Sequence, residues 1–364
     1  MIYLDDLLQA TGGALHGSAQ ATEFNSFAFD SRRLEPGQLF LAVKTATGDG
    51  HDFIGDAVQR GAAGVLCEYP PVPAHLSTPV TTIIVPDLQQ ALTDYATCIL
   101  QKYRPKVIGV TGSSGKTTAK EAIAAVLQQR YRVFKNFGSY NGRYGLPIAL
   151  GELTPDHEVA VLEMACDSFG EIAELVRITQ PQMGVITAIN QTHLAYLGTL
   201  ANIANEKGRL IESLPFTGSA VLNADDPRVA GMVPRTKARI LTFGLSSGAD
   251  VRAAEVKVRP DGLTFTLHYE GQNYPGYIPL LGRHQIYPTL AAVAVGLVLD
   301  VPPEIALTTL TKLPRVPGRL NPLPGQNGTL ILDDTFNSSP EAAIAALDTL
   351  VELPGAHKIA ILGD

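Results

Sequence analysis

The sequence predicts an α/β fold on a mostly parallel sheet, and three observations carry that prediction. The run Val107 to Glu121 (VIGVTGSSGKTTAKE) passes from an apolar strand through a glycine-punctuated turn into a helix that starts near Thr117. Further buried-strand runs, Val159 to Leu162, Gly184 to Ile189 and Val221-Leu222, alternate with helical stretches. Polar residues then fall at the carboxyl ends of those strands: Glu163, the loop around His193, and Asn223 to Asp226. Parallel sheets bind their ligands at that end.

In chain order, Leu4 to Gly12 reads as a short helix stopped by the Gly12-Gly13 pair. Phe27 to Arg33 is a strand end running into a polar turn. Gln38 to Val43 is a strand after the Pro36-Gly37 turn. Asp49-Gly50-His51 sits on a loop before a helix at Phe53 to Gly61, and Gly64 to Cys67 is a strand. Pro70, Pro71 and Pro73 mark a loop. Thr81 to Val85 is a strand, and Asp87 opens a helix to Tyr103. Arg104-Pro105 is the expected linker, giving a first domain over 1–104 and a second over 105–314. In the second, a strand near Arg132 to Phe134 leads to the polar loop Asn136 to Arg143. Period-two alternation at Leu263, Phe265, Leu267 and Tyr269 predicts a hairpin excursion, followed by a helix from Pro288 to Leu299. A Pro/Gly-rich linker at Pro314 to Arg319 opens a third segment, 315–364. It should hold a strand at Thr329 to Leu332, a polar loop, a helix at Glu341 to Leu350 and a strand at Lys358 to Leu362. One β-α-β unit is too little for a stable domain of its own, so either a truncated chain with an incomplete third domain or a third domain that leans on the second is expected.

The 364 residues suffice for two or three domains, and 45% hydrophobic with 17% charged residues is an ordinary globular balance. A net charge of −7 argues against nucleic acid or a membrane surface as the main partner. It does not exclude nucleotides, which local donors and Mg²⁺ can hold. The three cysteines are odd in number and widely spaced, so reduced thiols and a cytoplasmic protein are expected. Asp5 and Asp6 stand where a signal peptide would be basic, and the apolar stretch Thr289 to Val301 is too short to span a bilayer.

The chemistry starts at the glycine turn. Gly112 and Gly115 let several N–H groups point inward, and with the helix N-terminus they make a cradle for phosphate oxygens, with Ser113, Ser114 and Thr118 in the same loop. Lys116 would reach the β/γ-phosphates and Thr117 would offer its hydroxyl to Mg²⁺. The strict phosphate-loop spacing asks for glycine at Val110; the glycine here is Gly109.

VTGSSGKTTAKE resembles the ATP-binding loop of the Mur ligases, the ATP-dependent amide-forming enzymes of peptidoglycan precursor synthesis. DSRRLEPGQLFLAVKTATGDGHDFIGDA looks like their uridine-nucleotide-binding N-terminal domain. VLEMACDSFGEIAELVRITQPQMGVITAINQTHLAYLGTLANIANEKGRLI, AVLNADDPRV and LDDTFNSSPEAAIAALDTL are most similar to the fourth-step ligases. The resemblance implies a three-domain architecture with a central parallel-sheet ATPase domain and a Rossmann-like C-terminal domain. It implies a reaction in which D-alanyl-D-alanine is joined to UDP-N-acetylmuramoyl-tripeptide through an acyl phosphate, releasing ADP and phosphate. A monomer is expected. The sequence departs from the family at Ser139 to Gly142, at Gln285 and Pro288, and at Ser339.

By the same resemblance, Lys116 and Arg319 serve the γ-phosphate, and Thr117, Glu163, His193 and Lys207 hold two Mg²⁺ ions, Lys207 as a carbamate. Asp334 accepts from the ATP ribose, and Asn141, His284 and Asn337 are nucleotide-side candidates. Ser31, Arg32, Asp49 and His51 contact the UDP-sugar. Read without the family, Glu163 has a second reading as a solvated strand-end carboxylate, His193 as a structural loop histidine, Lys207 as a solvated helix face, Arg319 as a linker arginine and Asp30-Ser31 as a plain turn. Two alternatives stay open: the third-step diamino-acid-adding ligase and a non-catalytic nucleotide- or UDP-sugar-binding protein; folylpolyglutamate synthase shares the phosphate loop, but the dedicated UDP-binding N-terminal domain speaks against it. Together, Lys116, Thr117, Glu163, His193, Lys207 and Arg319 favour chemistry, because a mere binder needs no second metal site.

Overall fold

The computed structural model describes residues 1–363 except 46–47, 73–75, 77, 193 and 337. Pro73, His193, Asn337 and Asp364 lie outside the described residues. The chain divides into two compact units: 1–105 with 136–158 and 177–179, and 106–135 with 159–176 and the residues from 180 onward.

The first unit begins with β1 (Ile2–Tyr3), α1 (Leu4–Thr11), β2 (Ala14–His16), β3 (Glu23–Phe24) and β4 (Phe27–Ala28). It continues with β5 (Leu39–Leu41), β6 (Lys44–Thr45), β7 (Gly48–Asp49), α2 (Ile54–Gln59), β8 (Gly64–Cys67), β9 (Thr81–Ile84) and α3 (Leu88–Tyr103). Gly12 ends α1 in the left-handed conformation, and the Asp87 carboxylate caps α3 by accepting from Gln90 N. The sheet order is β2-β9-β8-β5-β4, parallel except for β2 at its edge. Phe40, Ile54, Ala57, Val65 and Cys67 fill the core between α2 and the sheet.

The second unit opens with β10 (Lys106–Thr111), α4 (Lys116–Leu127) and β11 (Val133–Lys135). The chain then gives α5 (Gly145–Leu150) to the first unit before β12 (Val159–Glu163), α6 (Glu171–Thr179), β13 (Met183–Ile186), α7 (Leu194–Leu197) and α8 (Leu200–Glu212). Next come β14 (Ser219–Asn223), α9 (Pro227–Ala230), β15 (Arg239–Gly244), β16 (Val251–Arg259), β17 (Gly262–Tyr269) and β18 (Gln272–Ile278). The unit closes with α10 (Ile286–Val298), α11 (Pro303–Leu310), β19 (Asn321–Pro324), β20 (Leu330–Asp333) and α12 (Pro340–Glu352).

Its nine-stranded sheet runs β11-β12-β10-β13-β14-β15-β16-β17-β18, parallel through β16. The expected hairpin excursion is β16 to β18, added antiparallel at one edge. α4 and α10 cover one face, where Ile108, Val110, Ile123, Val126, Val161, Val185 and Leu290 are all buried. Each such side chain contributes roughly 1.5–3 kcal/mol on burial. α8 lies against the other face, and Gly109 makes room for it: a Cβ there would meet Leu210 Cδ1 at 2.8 Å. The glycine that is one place off the phosphate-loop pattern is therefore a packing glycine, not part of the phosphate cradle.

One expectation needs correction. Lys358 to Leu362 forms no strand; no described strand lies beside it to accept its hydrogen bonds, and Ile359 and Ile361 stand 79% and 93% exposed. α11 was not among the expected elements; Pro303 sits in its first turn, where a missing N–H costs nothing.

Candidate functional site

β10 ends at Thr111 and α4 starts at Lys116, so the four residues between must reverse direction. Gly112 does so at φ +150°, and a Cβ built on it would fall 2.0 Å from Thr187 Oγ1. The end of β13 clamps the loop. The Thr187 hydroxyl donates to Ser114 O at 2.6 Å, and Ser113 N donates to Ala188 O at 2.7 Å. Asn190 Nδ2 donates to Ser114 Oγ at 2.9 Å, and Ser113 Oγ donates to Asn190 O at 3.1 Å. Asn223, at the end of β14, ties the clamp down by donating to Thr187 O at 2.8 Å. Fixing the loop this way leaves the first turn of α4, with Thr117 and Thr118, presenting its N–H groups at the sheet's carboxyl edge.

The Lys116 ammonium folds over the loop, donating to Gly112 O at 2.8 Å and to Ser113 O at 3.3 Å. Burial, and then the like charge of Lys207, bring it down to about 8. Glu163, Cys166 and Arg319 also lie within its electrostatic reach. So Lys116, Glu163, Lys207 and Arg319, far apart in sequence, converge. Glu163 and Lys207 are 2% and 1% exposed, which rules out the solvated readings of both. Lys207 Nζ donates to Cys166 Sγ at 3.4 Å.

The linker and the polar loop after β20 are joined by backbone-to-carboxylate bonds. Gly318 N donates to Asp333 Oδ2 at 3.1 Å, and Leu320 N donates to Asp334 Oδ1 at 3.0 Å. Between them the Arg319 guanidinium stacks 4.5 Å above the Phe336 ring. His284, in the turn just before α10, has its pKa lowered by burial, against the opposing charge of Asp334. Its Nε2 lies 3.1 Å from Gln285 Nε2. Gln285 Oε1 and Asn190 Oδ1 are buried with no hydrogen-bond partner among the described residues. Buried acceptors are nearly always paired, so both fit a ligand's donors.

A divalent cation fits the donor chemistry here. Glu163 supplies a buried carboxylate and Thr117 a hydroxyl, the oxygen ligands a hard cation takes. Among the described residues no three His, Cys, Asp or Glu side chains cluster as a ready-made metal site.

In the first unit, Asp30 accepts from Arg32 N and forms a two-bond pair with its guanidinium, both at 2.8 Å, while the arginine stays 81% exposed. Ser31 is buried and bonds the Asp56 carboxylate. Asp49 Oδ1 accepts from His51 N at 2.9 Å and lies 2.6 Å from His51 Nδ1; its Oδ2 accepts from Tyr69 OH at 2.7 Å. His51 Nε2 accepts from Glu68 N at 3.0 Å, and its ring stacks on Tyr69 at 3.8 Å. Both imidazole nitrogens are thus committed, and the exposed faces of this cluster belong to Tyr69 and Lys44. Asn141 belongs to this first unit.

Sequence reasoning passed over Thr187, Asn190, Tyr69 and Lys120. Thr187 and Asn190 carried a signal, as polar residues at the end of a buried strand. Lys120 carried another: it sits on the apolar stripe of α4 beside Ala119 and Ile123 and is 0% exposed.

The sequence profile of the Mur ligase middle domain matches residues 110–296, and that of the Mur ligase family catalytic domain matches 23–99. The UDP-N-acetylmuramoyl-tripeptide–D-alanyl-D-alanine ligase of Escherichia coli K12 is 33% identical, covering 100% of this chain and 79% of the relative. The Bacillus subtilis 168 enzyme of the same name is 35% identical over 95% of this chain and 74% of the relative. Among solved structures, MurF from Acinetobacter baumannii superposes with TM-score 0.85 at 30% identity, covering 96% of this chain and 76% of that one. MurF ligase from Thermotoga maritima in complex with ADP gives 0.77 at 31%, covering 91% and 75%. With likeness of this extent, the chain belongs to the Mur ligase family.

Proposed function

We propose that this chain is the ATP-dependent ligase that joins D-alanyl-D-alanine to UDP-N-acetylmuramoyl-tripeptide. The convergence of Lys116, Glu163, Lys207 and Arg319 around one phosphate loop carries the reading. Joining a carboxylate to an amine in water is uphill, so ATP first converts the carboxylate to an acyl phosphate, and the amine then displaces phosphate. Two anions must meet in the first step, and the dominant demand is neutralising their charge.

Lys116 and the N-terminus of α4 hold the β/γ-phosphates, and Arg319 closes on the γ-phosphate with the planar fork suited to it. Asp334 and His284 bind the ribose and base side, with Asn337 and Asn141 as further candidates. Thr117, Glu163, His193 and Lys207 hold Mg²⁺, at two sites. Bound Mg²⁺ would supply charge neutralisation at the phosphates. Lys207 reacts with CO₂, R–NH₂ + CO₂ giving R–NH–COO⁻ + H⁺. Its repulsion of Lys116 supports this, since carbamylation would turn that repulsion into attraction. Ser31, Arg32, Asp49 and His51 belong to the UDP-sugar site, with Asp49 and His51 shaping it through Tyr69. The location is cytoplasmic and the working form a monomer; among the described residues no helix is long and apolar enough to cross a membrane.

The test is phosphate release from Mg·ATP with each substrate omitted in turn. Release that requires both UDP-N-acetylmuramoyl-tripeptide and D-alanyl-D-alanine is expected. Release with ATP alone, or with a diamino acid in place of the dipeptide, overturns the assignment.

A further inference from the structure

α4 carries a second lysine that the phosphate chemistry does not use. Lys120 is one helical turn beyond Lys116 and is 0% exposed. Its Nζ lies 3.4 Å from Glu121 Oε1 and 3.8 Å from Glu163 Oε2. Glu121 in turn pairs with Lys135, at the end of β11, whose side chain is 39% exposed. A chain of alternating charges, Lys135–Glu121–Lys120–Glu163, thus runs from the surface to the carboxylate under the phosphate loop. Burying a lysine costs several kcal/mol unless it is paired, so an apolar side chain would serve packing alone better. The cost is coherent if the ammonium does something for Glu163.

We propose that Lys120 is a resident counter-charge for Glu163, which keeps the carboxylate from holding a divalent cation until nucleotide phosphates arrive. Without nucleotide, a cation at Glu163 meets the positive charges of Lys120 and, within reach, Lys116. The phosphates of ATP add the negative charge that tips the balance, so cation and nucleotide enter together. Glu121 divides Lys120 between two carboxylates and so sets how much of its charge Glu163 feels. This inference rests on Glu163 being a cation ligand, as read above.

The test is Mn²⁺ binding to the full chain, followed by the paramagnetic resonance of free Mn²⁺, without nucleotide and with ADP. Lys120→Met should bind Mn²⁺ at least ~10-fold more tightly than the parent without nucleotide, by loss of one nearby positive charge. Lys120→Arg, which keeps the charge, should stay at the parent value. Lys120→Met combined with Glu163→Gln should lose the gain. Glu121→Gln, on a partly exposed side chain, should act in the opposite sense and weaken Mn²⁺ binding. It also reads the same coupling if Lys120→Met does not fold. Unchanged or weaker binding in folded Lys120→Met overturns the proposal, as does unchanged binding in Glu121→Gln. If Glu163→Gln leaves Mn²⁺·ADP binding untouched, the reading of Glu163 as a ligand fails instead.

Discussion

Thr187 Oγ1 occupies the space that a Cβ on Gly112 would need, 2.0 Å away, and spends its own hydrogen on Ser114 O. The phosphate loop and the end of β13 are therefore one rigid piece. The clamp fixes where the first turn of α4 points, and that turn is the one proposed above to meet a nucleotide phosphate.

Gly112→Ala tests this directly. The substitution must displace Thr187 and adopt φ +150°, which L-residues rarely take. A penalty of about 1–3 kcal/mol in stability is expected. Nucleotide affinity should fall further, because Ser113 and Ser114 lose their anchors. Thermal unfolding and ADP titration check both; an unchanged ADP affinity would show that the clamp is not what shapes the cradle. Thr187→Ser, which keeps the hydroxyl, should be close to the parent in both.

Asp49 gives a pH prediction in the first unit. Burial pushes its carboxyl up, but the His51 amide, the Tyr69 hydroxyl and the His51 ring outweigh that and hold it at about 2. A carboxylate with a depressed folded pKa stabilises above its unfolded value and loses that contribution as pH falls through the folded one. The window therefore runs from 3.8 down to about 2. Asp49→Asn should be less stable than the parent at neutral pH, and the gap should close across that window. Urea unfolding at a series of pH values reads it. A gap that stays constant to pH 2 would mean that the pair with His51 and Tyr69 does not depend on the charge.

How much of this was legible from sequence follows residue type. The strand, glycine turn and helix around Lys116 were, because glycine and lysine at fixed spacing between a strand and a helix have a backbone reason to be there. The parallel sheet was, because its strands are buried on both faces. What the sequence hid is which polar residues touch. Lys116, Glu163, Lys207 and Arg319 come from four separate elements: the sheet order brings α4, β12 and α8 together, and the linker before β19 adds Arg319. Without the family resemblance Lys207 read as a solvated helix face; it is buried because its side of α8 packs on β10 and β13. His51 read as a ligand contact, and its committed nitrogens could not be inferred from Asp49-Gly50-His51 alone. The strand expected at Lys358 to Leu362 failed for a related reason: apolar alternation names a strand only where a neighbour can pair with it.

Lys207 supplies a third prediction. If it carries a carbamate, protein equilibrated with ¹³C-bicarbonate should show a carbamate carbonyl resonance that Lys207→Arg removes. Activity should fall when CO₂ is stripped and return when it is restored. Lys207→Ala should regain partial activity with a short carboxylic acid added, since a free carboxylate can take the carbamate's place. A resonance that persists in Lys207→Arg would move the modification to another lysine.

Arg319 and Phe336 supply the last. The guanidinium lies over the ring at 4.5 Å, at a position where the linker and the loop after β20 are held by Asp333 and Asp334. Stacking of this kind is worth about 0.5–1 kcal/mol at an exposed site, which corresponds to roughly 2- to 5-fold in an equilibrium. Phe336 is 58% exposed, so little packing is lost with it. Phe336→Leu should therefore leave stability nearly unchanged. If Arg319 acts on the γ-phosphate, the same change should raise KM for ATP by that small factor, and Phe336→Tyr should restore it. Arg319→Lys should cost far more, and chiefly in kcat, because a point charge cannot bridge two phosphate oxygens as the fork does. Equal, small effects from Phe336→Leu and Arg319→Lys would place Arg319 in the linker's packing rather than at the phosphate.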